Sequence, residues 1–288
     1  MSYSFWILLT ASFVGISCGI IGVLLILRRM AMMADAISHT VLLGIVVAFL
    51  VTRELQGLPM LIGAIIAGLL TAFLVQWLHS LDVQLDAAMG IVFTSLFALG
   101  VILISTSIGN AHLDVQHALM GEITFIPWEK TMLPLIGEVP KATAMLGFVS
   151  IIIITIITLF YKEWKITTFD PLLASSLSIP VLFMHYLFMS LVSITTVASF
   201  DAVGAILVVA MLITPAASSY LWTDRLPVML VLSPFFGVVA AVGGYYLAAW
   251  IDTSISGSMA FATGILFLIS FFFAPKGILA KYRRAGIS

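Results

Sequence analysis

Long apolar stretches broken by short polar ones dominate this chain. Nine runs, at 5–27, 35–52, 59–78, 88–105, 142–161, 180–198, 202–222, 228–250 and 258–274, stay apolar for about the 20 residues that a helix needs to cross a hydrocarbon core. Strands of a transmembrane barrel alternate in character over about 9–11 residues, and these runs do not alternate, so the pattern predicts helices. The sixth and seventh runs nearly touch at 199–201, which demands a tight corner. If one run is re-entrant or broken, the count falls to eight. The expected fold is all-α: a polytopic membrane bundle of eight or nine transmembrane helices, forming one domain over 1–288.

Composition agrees. Of 288 residues, 62% are hydrophobic and 9% charged, and mean hydropathy is +1.23, whereas soluble domains carry about a quarter charged residues. The net charge is −1 and no basic stripe occurs, so nothing would neutralise phosphates and no nucleic-acid partner is expected. Cys18 is the single cysteine; it cannot form an internal disulfide and reads as a packing residue in the first run. No basic stretch precedes that run and no small-residue cleavage site follows it, so it reads as a retained span.

The basic residues orient the bundle. Nine spans with the C-terminus inside put Arg28, Arg29, Lys162, Lys165, Arg225, Lys276, Lys281, Arg283 and Arg284 on one face, leaving Arg53, Lys130 and Lys141 on the other. Positive charge collects on the cytoplasmic side, so the N-terminus starts outside. Two long connections result. The outer one, 106–141, carries His112, Asp114, His117, Glu122, Glu129 and Glu138. The inner one, 162–179, reads KEWKITTFDPLLASSLSI, and Pro171 suits the first turn of a short helix.

The ionisable residues inside the runs point to chemistry. Asp35 and His39 are four apart and would share a helix face, with Cβ atoms about 5–6 Å apart. Ionisable groups in spans are expensive and mark ion or substrate paths. A carboxylate and an imidazole there suit a divalent ion such as Zn²⁺ or Mn²⁺, and the lack of thiolates argues against a soft site. A helix unbroken from Arg29 would put His39 about 15 Å along it, near mid-membrane, with Ser38 beside the pair as a possible third oxygen. The other reading makes Asp35 a helix cap and His39 an interhelical hydrogen-bond former. One helix supplies two side-chain ligands; a twofold partner would supply two more.

Further candidates are weaker. Asp201 is either a helix N-cap for the seventh run or a carboxylate facing the pathway. His112, Asp114 and His117 could collect metal at the outer mouth or simply be a polar loop. His79 and His185 have no sequence partner and read as structural. Gly15, Gly19 and Gly22 form a small-residue stripe that lets backbones approach closely, and Pro215 should kink its helix or free a carbonyl. No phosphate-binding GxxxxGK[ST] loop, no HExxH pair and no nucleophile–base motif occurs, so an enzyme is not expected.

The segment LLILRRMAMMADAISHTVLLG at 24–44 resembles the signature of the zinc/manganese/iron permease family of ATP-binding-cassette importers. Further similar segments follow in order: DAAMGIVFTSLFALGVILIS, ALMGEITFI, FDPLLASSL and SFDAVGAILVVAMLITPAASSYLWTDR, which together cover most of the chain. The resemblance implies a non-enzymatic transport subunit of a bacterial plasma membrane, with no resident cofactor and a Mn²⁺, Zn²⁺ or Fe²⁺ cargo. It implies as partners a second permease copy or paralogue, a cytoplasmic ATPase dimer that hydrolyses ATP, and an extracellular metal-binding protein. By position, Asp35 and His39 match the family's metal-pathway pair. Phe169, Asp170, Pro171 and Ala174 match the segment expected to dock on the ATPase. The family's usual Pro before Gly44 is Leu43 here, and the Gly usual near the end of the docking segment is Ser178. The outer segment HLDVQHALMGEITFIP looks closer to manganese-type members. The competing expectation is a stand-alone proton-coupled carrier with Asp35 and Asp201 as relay; inverted repeats would favour it, and none is evident.

Overall fold

The computed structural model describes residues 3–52, 58–107, 123–128, 130–133 and 137–279. Nine helices among these are long and apolar enough to cross a membrane. They are α1 (Tyr3–Leu27), α2 (Met32–Thr52), α3 (Leu58–His79), α4 (Leu85–Ser107), α5 (Lys141–Leu159), α8 (Val181–Val203), α9 (Ala205–Trp222), α10 (Leu226–Ile251) and α11 (Ile255–Phe273). Between α5 and α8 lie the two short helices α6 (Tyr161–Phe169) and α7 (Pro171–Ser176). The apolar runs correspond to the nine long helices within a few residues, and the chain is a multi-pass membrane protein.

Contacts at the helix ends sort the connections into two faces. On one, the start of α1 meets a 3₁₀ turn at Ile123–Trp128, where the Tyr3 hydroxyl donates to the Thr124 carbonyl. A small antiparallel hairpin, β1 (Lys130–Leu133) with β2 (Gly137–Pro140), leads from there into α5. The sequence pattern, read for spans, gave no sign of it. On the opposite face Arg28 meets α6, and Lys276 pairs with Asp224 across the ends of α9 and α11. The second face is the one that positive charge assigns to the cytoplasm.

Helix α1 sits at the centre, packed on α5, α8, α9 and α10, while α2 lies between α3 and α4. Lipid tails are as apolar as the helices, so association depends on close backbone packing and interhelical hydrogen bonds. Both are present. A Cβ on Gly15 would come within 2.8 Å of the Gly237 backbone, and one on Gly19 within 2.8 Å of Pro234 N. At Gly22 it would be 1.8 Å from the Leu212 carbonyl oxygen. The glycine stripe is therefore the seam that seats α1 on α9 and α10. Gly44 and Gly63 meet in the same way, joining α2 to α3.

Hydroxyls tie the remaining pairs. Thr10 with Thr143 (2.6 Å) and Ser17 with Ser150 (2.7 Å) form two rungs between α1 and α5. The rungs are seven residues apart on both helices, the repeat of a parallel pair in left-handed contact. Thr71 donates to Thr40 across α3 and α2 at 2.7 Å, and Ser233 to the Gly19 carbonyl at 2.8 Å. Such bonds contribute about 0.6 kcal/mol each in spans, so they fix register more than they add stability.

Two local expectations need correction. The tight corner between the sixth and seventh spans is Gly204 alone, at φ 83° and ψ 162°, a conformation open essentially to glycine. Asp201 consequently lies exposed in the last turn of α8, three residues before Gly204, which takes the N-cap position of α9. Helix α2 begins at Met32 after a turn, so His39 is about 10 Å along it, not 15 Å. Pro215 is buried inside α9, next to Ala216, which flanks Gly22. Its missing N–H leaves the Met211 carbonyl without the usual helical donor, within a packed interface.

Candidate metal centre

Two donors face one another on the first turns of α2. His39 Nε2 stands 3.6 Å from Asp35 Oδ1, with the side chains 41% and 33% exposed. That gap is too long for a direct hydrogen bond. Donors each about 2.1 Å from a zinc-like ion at a tetrahedral angle stand about 3.4 Å apart, so a small rotamer adjustment would let one cation bridge the pair. The residues between them turn inward: Ala36, Ile37 and Ser38 are buried. The chain therefore sends only the polar members of this turn to the accessible side.

Helix α4 positions the imidazole. The Phe93 ring stacks on His39 with centroids 5.6 Å apart and planes 28° off parallel, and Phe97 meets it edge-on, also at 5.6 Å. These two aromatics were not singled out from the sequence. Their i, i+4 spacing, matching that of Asp35 and His39, was the available signal. Ser38 is buried, and its hydroxyl donates to the Asp35 carbonyl at 2.7 Å, so it braces the turn that carries the carboxylate.

Among the described residues, no group of three or more His, Cys, Asp or Glu could hold a metal ion. Asp201 lies in the last turn of α8, two turns beyond Ser193, which with Ile37 of α2 borders Gly68. His112, Asp114 and His117 lie outside the described residues. His79 binds the Val83 carbonyl through Nδ1 at 3.0 Å where α3 ends. His185 is in α8, against Tyr186, and its buried Nε2 has no hydrogen-bond partner among the described residues.

The inner connection forms a second feature. Asp170 caps α7, its carboxylate accepting from the Leu173 N–H at 2.9 Å, and Pro171 takes the first helical position. The short helix after Pro171 is where the sequence placed it; α6 was not foreseen. Ala174 is fully buried, whereas Phe169, Leu172, Leu173 and Leu177 are exposed. Helix α7 ends in a Schellman turn: Ile179 N–H bonds the Ala174 carbonyl at 3.0 Å, and Ser178 has φ 58°. The usual glycine is replaced by serine at a position that needs left-handed backbone. Ser178→Gly should relieve strain of about 1 kcal/mol, partly offset by the greater freedom of glycine in the unfolded chain. A rise in the melting temperature of the purified protein checks this; a fall would refute it.

Beside α6, Arg28 is half-buried, and burial pushes its guanidinium down to about 10, so it remains charged at neutral pH. Trp164 is buried beneath it and packs edge-on against Phe188 at 5.9 Å.

The family model described as the ABC 3 transport family matches residues 1–274. The chain belongs to the ABC 3 transport family. Among its ABC 3 relatives, the manganese transport system membrane protein MntD of Bacillus subtilis is 56% identical, over 99% of this chain and 97% of that protein. The zinc transport system membrane protein TroD of Treponema pallidum is 42% identical, over 94% of this chain and 74% of that protein. The solved structure of PsaBC from Streptococcus pneumoniae in complex with Fab matches with a TM-score of 0.80 at 37% identity, covering 98% of this chain and 96% of that one.

Proposed function

We propose that this chain is the membrane-spanning subunit of an ABC importer that carries a divalent transition metal into the bacterial cytoplasm. Manganese is the first choice of cargo, then zinc, then ferrous iron. The observation that carries this reading is a likeness spanning almost the whole chain to a manganese transport system membrane protein, together with a carboxylate–imidazole pair left accessible on a spanning helix. Three more relatives, from Halalkalibacterium halodurans and two Listeria species, are also named manganese transport system membrane proteins.

The ion arrives from outside, sheds part of its hydration shell and is held by Asp35 and His39. A second permease, identical or paralogous, covers the accessible side of the pair, since an ionised carboxylate facing lipid is costly. A twofold arrangement then supplies two carboxylates and two imidazoles around one ion. Affinity stays moderate, because an ion held too firmly cannot leave. A cytoplasmic ATPase dimer docks on α6 and α7, and an extracellular metal-binding protein delivers the ion to the opposite face. ATP hydrolysis belongs to the ATPase, and the permease itself is not an enzyme. Nothing in the comparisons favours a stand-alone proton-coupled carrier.

The test is reconstitution of the permease with its ATPase in vesicles, with metal content measured directly. Uptake should require ATP and be competed most strongly by Mn²⁺ among Mn²⁺, Zn²⁺ and Fe²⁺. Uptake driven by a proton gradient without the ATPase would overturn the reading.

A further inference from the structure

Three elements converge on one guanidinium. Arg28 follows the last residue of α1, and its Cζ lies 4.7 Å from the centroid of Phe188 on α8 and 5.5 Å from that of Trp164 on α6. Its Nε donates to Thr168 Oγ1 at 3.1 Å, and an Nη donates to Thr167 Oγ1 at 3.2 Å. The Thr167 hydroxyl spends its own proton on the Glu163 carbonyl at 2.8 Å, which leaves a lone pair for the arginine. Helix α6 is thus gripped through its buried tryptophan and two adjacent hydroxyls. A planar, forked cation can do both at once; a lysine cannot.

The same residue is tied to the metal pair by a turn with little slack. Arg29 holds φ 59°, its N–H bonds the Ile26 carbonyl at 3.0 Å, and Met30 N–H bonds Leu25 at 2.9 Å. Met33 N–H then bonds the Met30 carbonyl at 3.0 Å, starting α2, with Met30 and Met33 both buried. Asp35 stands in that first turn. A shift of α6 reaches the carboxylate through seven residues, a turn held by backbone hydrogen bonds and anchored by the buried Met30, Met33 and Ala34.

We propose that Arg28 is a positioning residue that couples movement of the α6–α7 segment to the Asp35–His39 pair. The proposal rests on the reading of α6–α7 as the ATPase docking segment. The arginine takes no part in binding metal or ATP; it converts displacement at one end of α1 into reorientation of the first turn of α2.

The experiment measures metal moved per ATP hydrolysed by the whole transporter in vesicles, alongside the amount of ATPase that co-purifies. Arg28→Met keeps the bulk and removes charge and donors. The expected result is wild-type ATPase content, ATP hydrolysis within about twofold of wild type, and a metal-to-ATP ratio at least tenfold lower. Arg28→Lys, which returns charge above the rings without the fork, should recover part of the ratio. The Thr167→Val, Thr168→Val double variant should lower the ratio partway, and it decides the matter if the Arg28→Met permease does not fold and accumulate in the membrane. An unchanged ratio in Arg28→Met, or in the double variant where that one decides, overturns the proposal. So does loss of the ATPase from the Arg28→Met complex, or no recovery at all with lysine. Failure of the docking reading shows separately, as ATPase that stays bound when the exposed face of α7 is altered.

Discussion

Asp35→Ala and His39→Ala are each expected to reduce ATP-driven metal uptake to below about a tenth of wild type, while insertion, yield and ATPase association stay unchanged. Each change removes one of two donors that the chain offers to an ion, and no third metal-ligating side chain stands beside them among the described residues. Both side chains are partly accessible, so folding should be spared. Asp35→Asn sharpens the test, since it keeps the shape and one neutral oxygen but loses the charge that binds a hard cation. Normal uptake by Asp35→Ala or by His39→Ala would remove the pair from the pathway.

Leu172→Asp should release the ATPase. Leu172 is 82% exposed on α7, with Phe169, Leu173 and Leu177 also exposed, a group of large apolar side chains on and flanking this short helix. Burying a leucine in an interface contributes about 1.5–3 kcal/mol, and a carboxylate in its place adds desolvation. Loss of about 3 kcal/mol weakens association roughly a hundredfold. The measurement is the ATPase retained on an immobilised permease. Ala174→Trp should have a comparable effect by another route, since Ala174 has no space around it and a large ring would lift α7 from α8. Retention of the ATPase in both variants would dismiss the docking role.

Most of the architecture was legible because spans advertise themselves by length. Each run that stayed apolar for a bilayer's thickness became a helix, and the positive residues at 28–29, 162–165, 225 and 276 fall on the face that the structure gathers around α6 and the end of α9. Asp170-Pro171 spelled out a cap and a first turn. Other features were hidden for physical reasons. The break at Gly204 sits among small apolar residues with no change of polarity, so the charged Asp201 drew the boundary three residues early. Helix α6 follows α5 after one residue, and Tyr161 reads as the tail of the apolar run. The Phe93 and Phe97 contacts with His39 depend on how α4 is rotated against α2, which a single sequence does not encode locally. The pair at 35 and 39 was visible because four-residue spacing on a helix is itself local geometry.

Gly204 constrains what any conformational cycle can do. Because a single residue joins α8 to α9, the upper tips of these helices can never separate by more than a few ångströms. Like the legs of a pair of tongs, the two can spread only at their lower tips, on the side where α6 and α7 lie. The joint lies inside the bundle, five residues beyond Ser199, whose hydroxyl stands 3.7 Å from the Cys18 thiol in α1, so it can serve as a pivot but not as a gap.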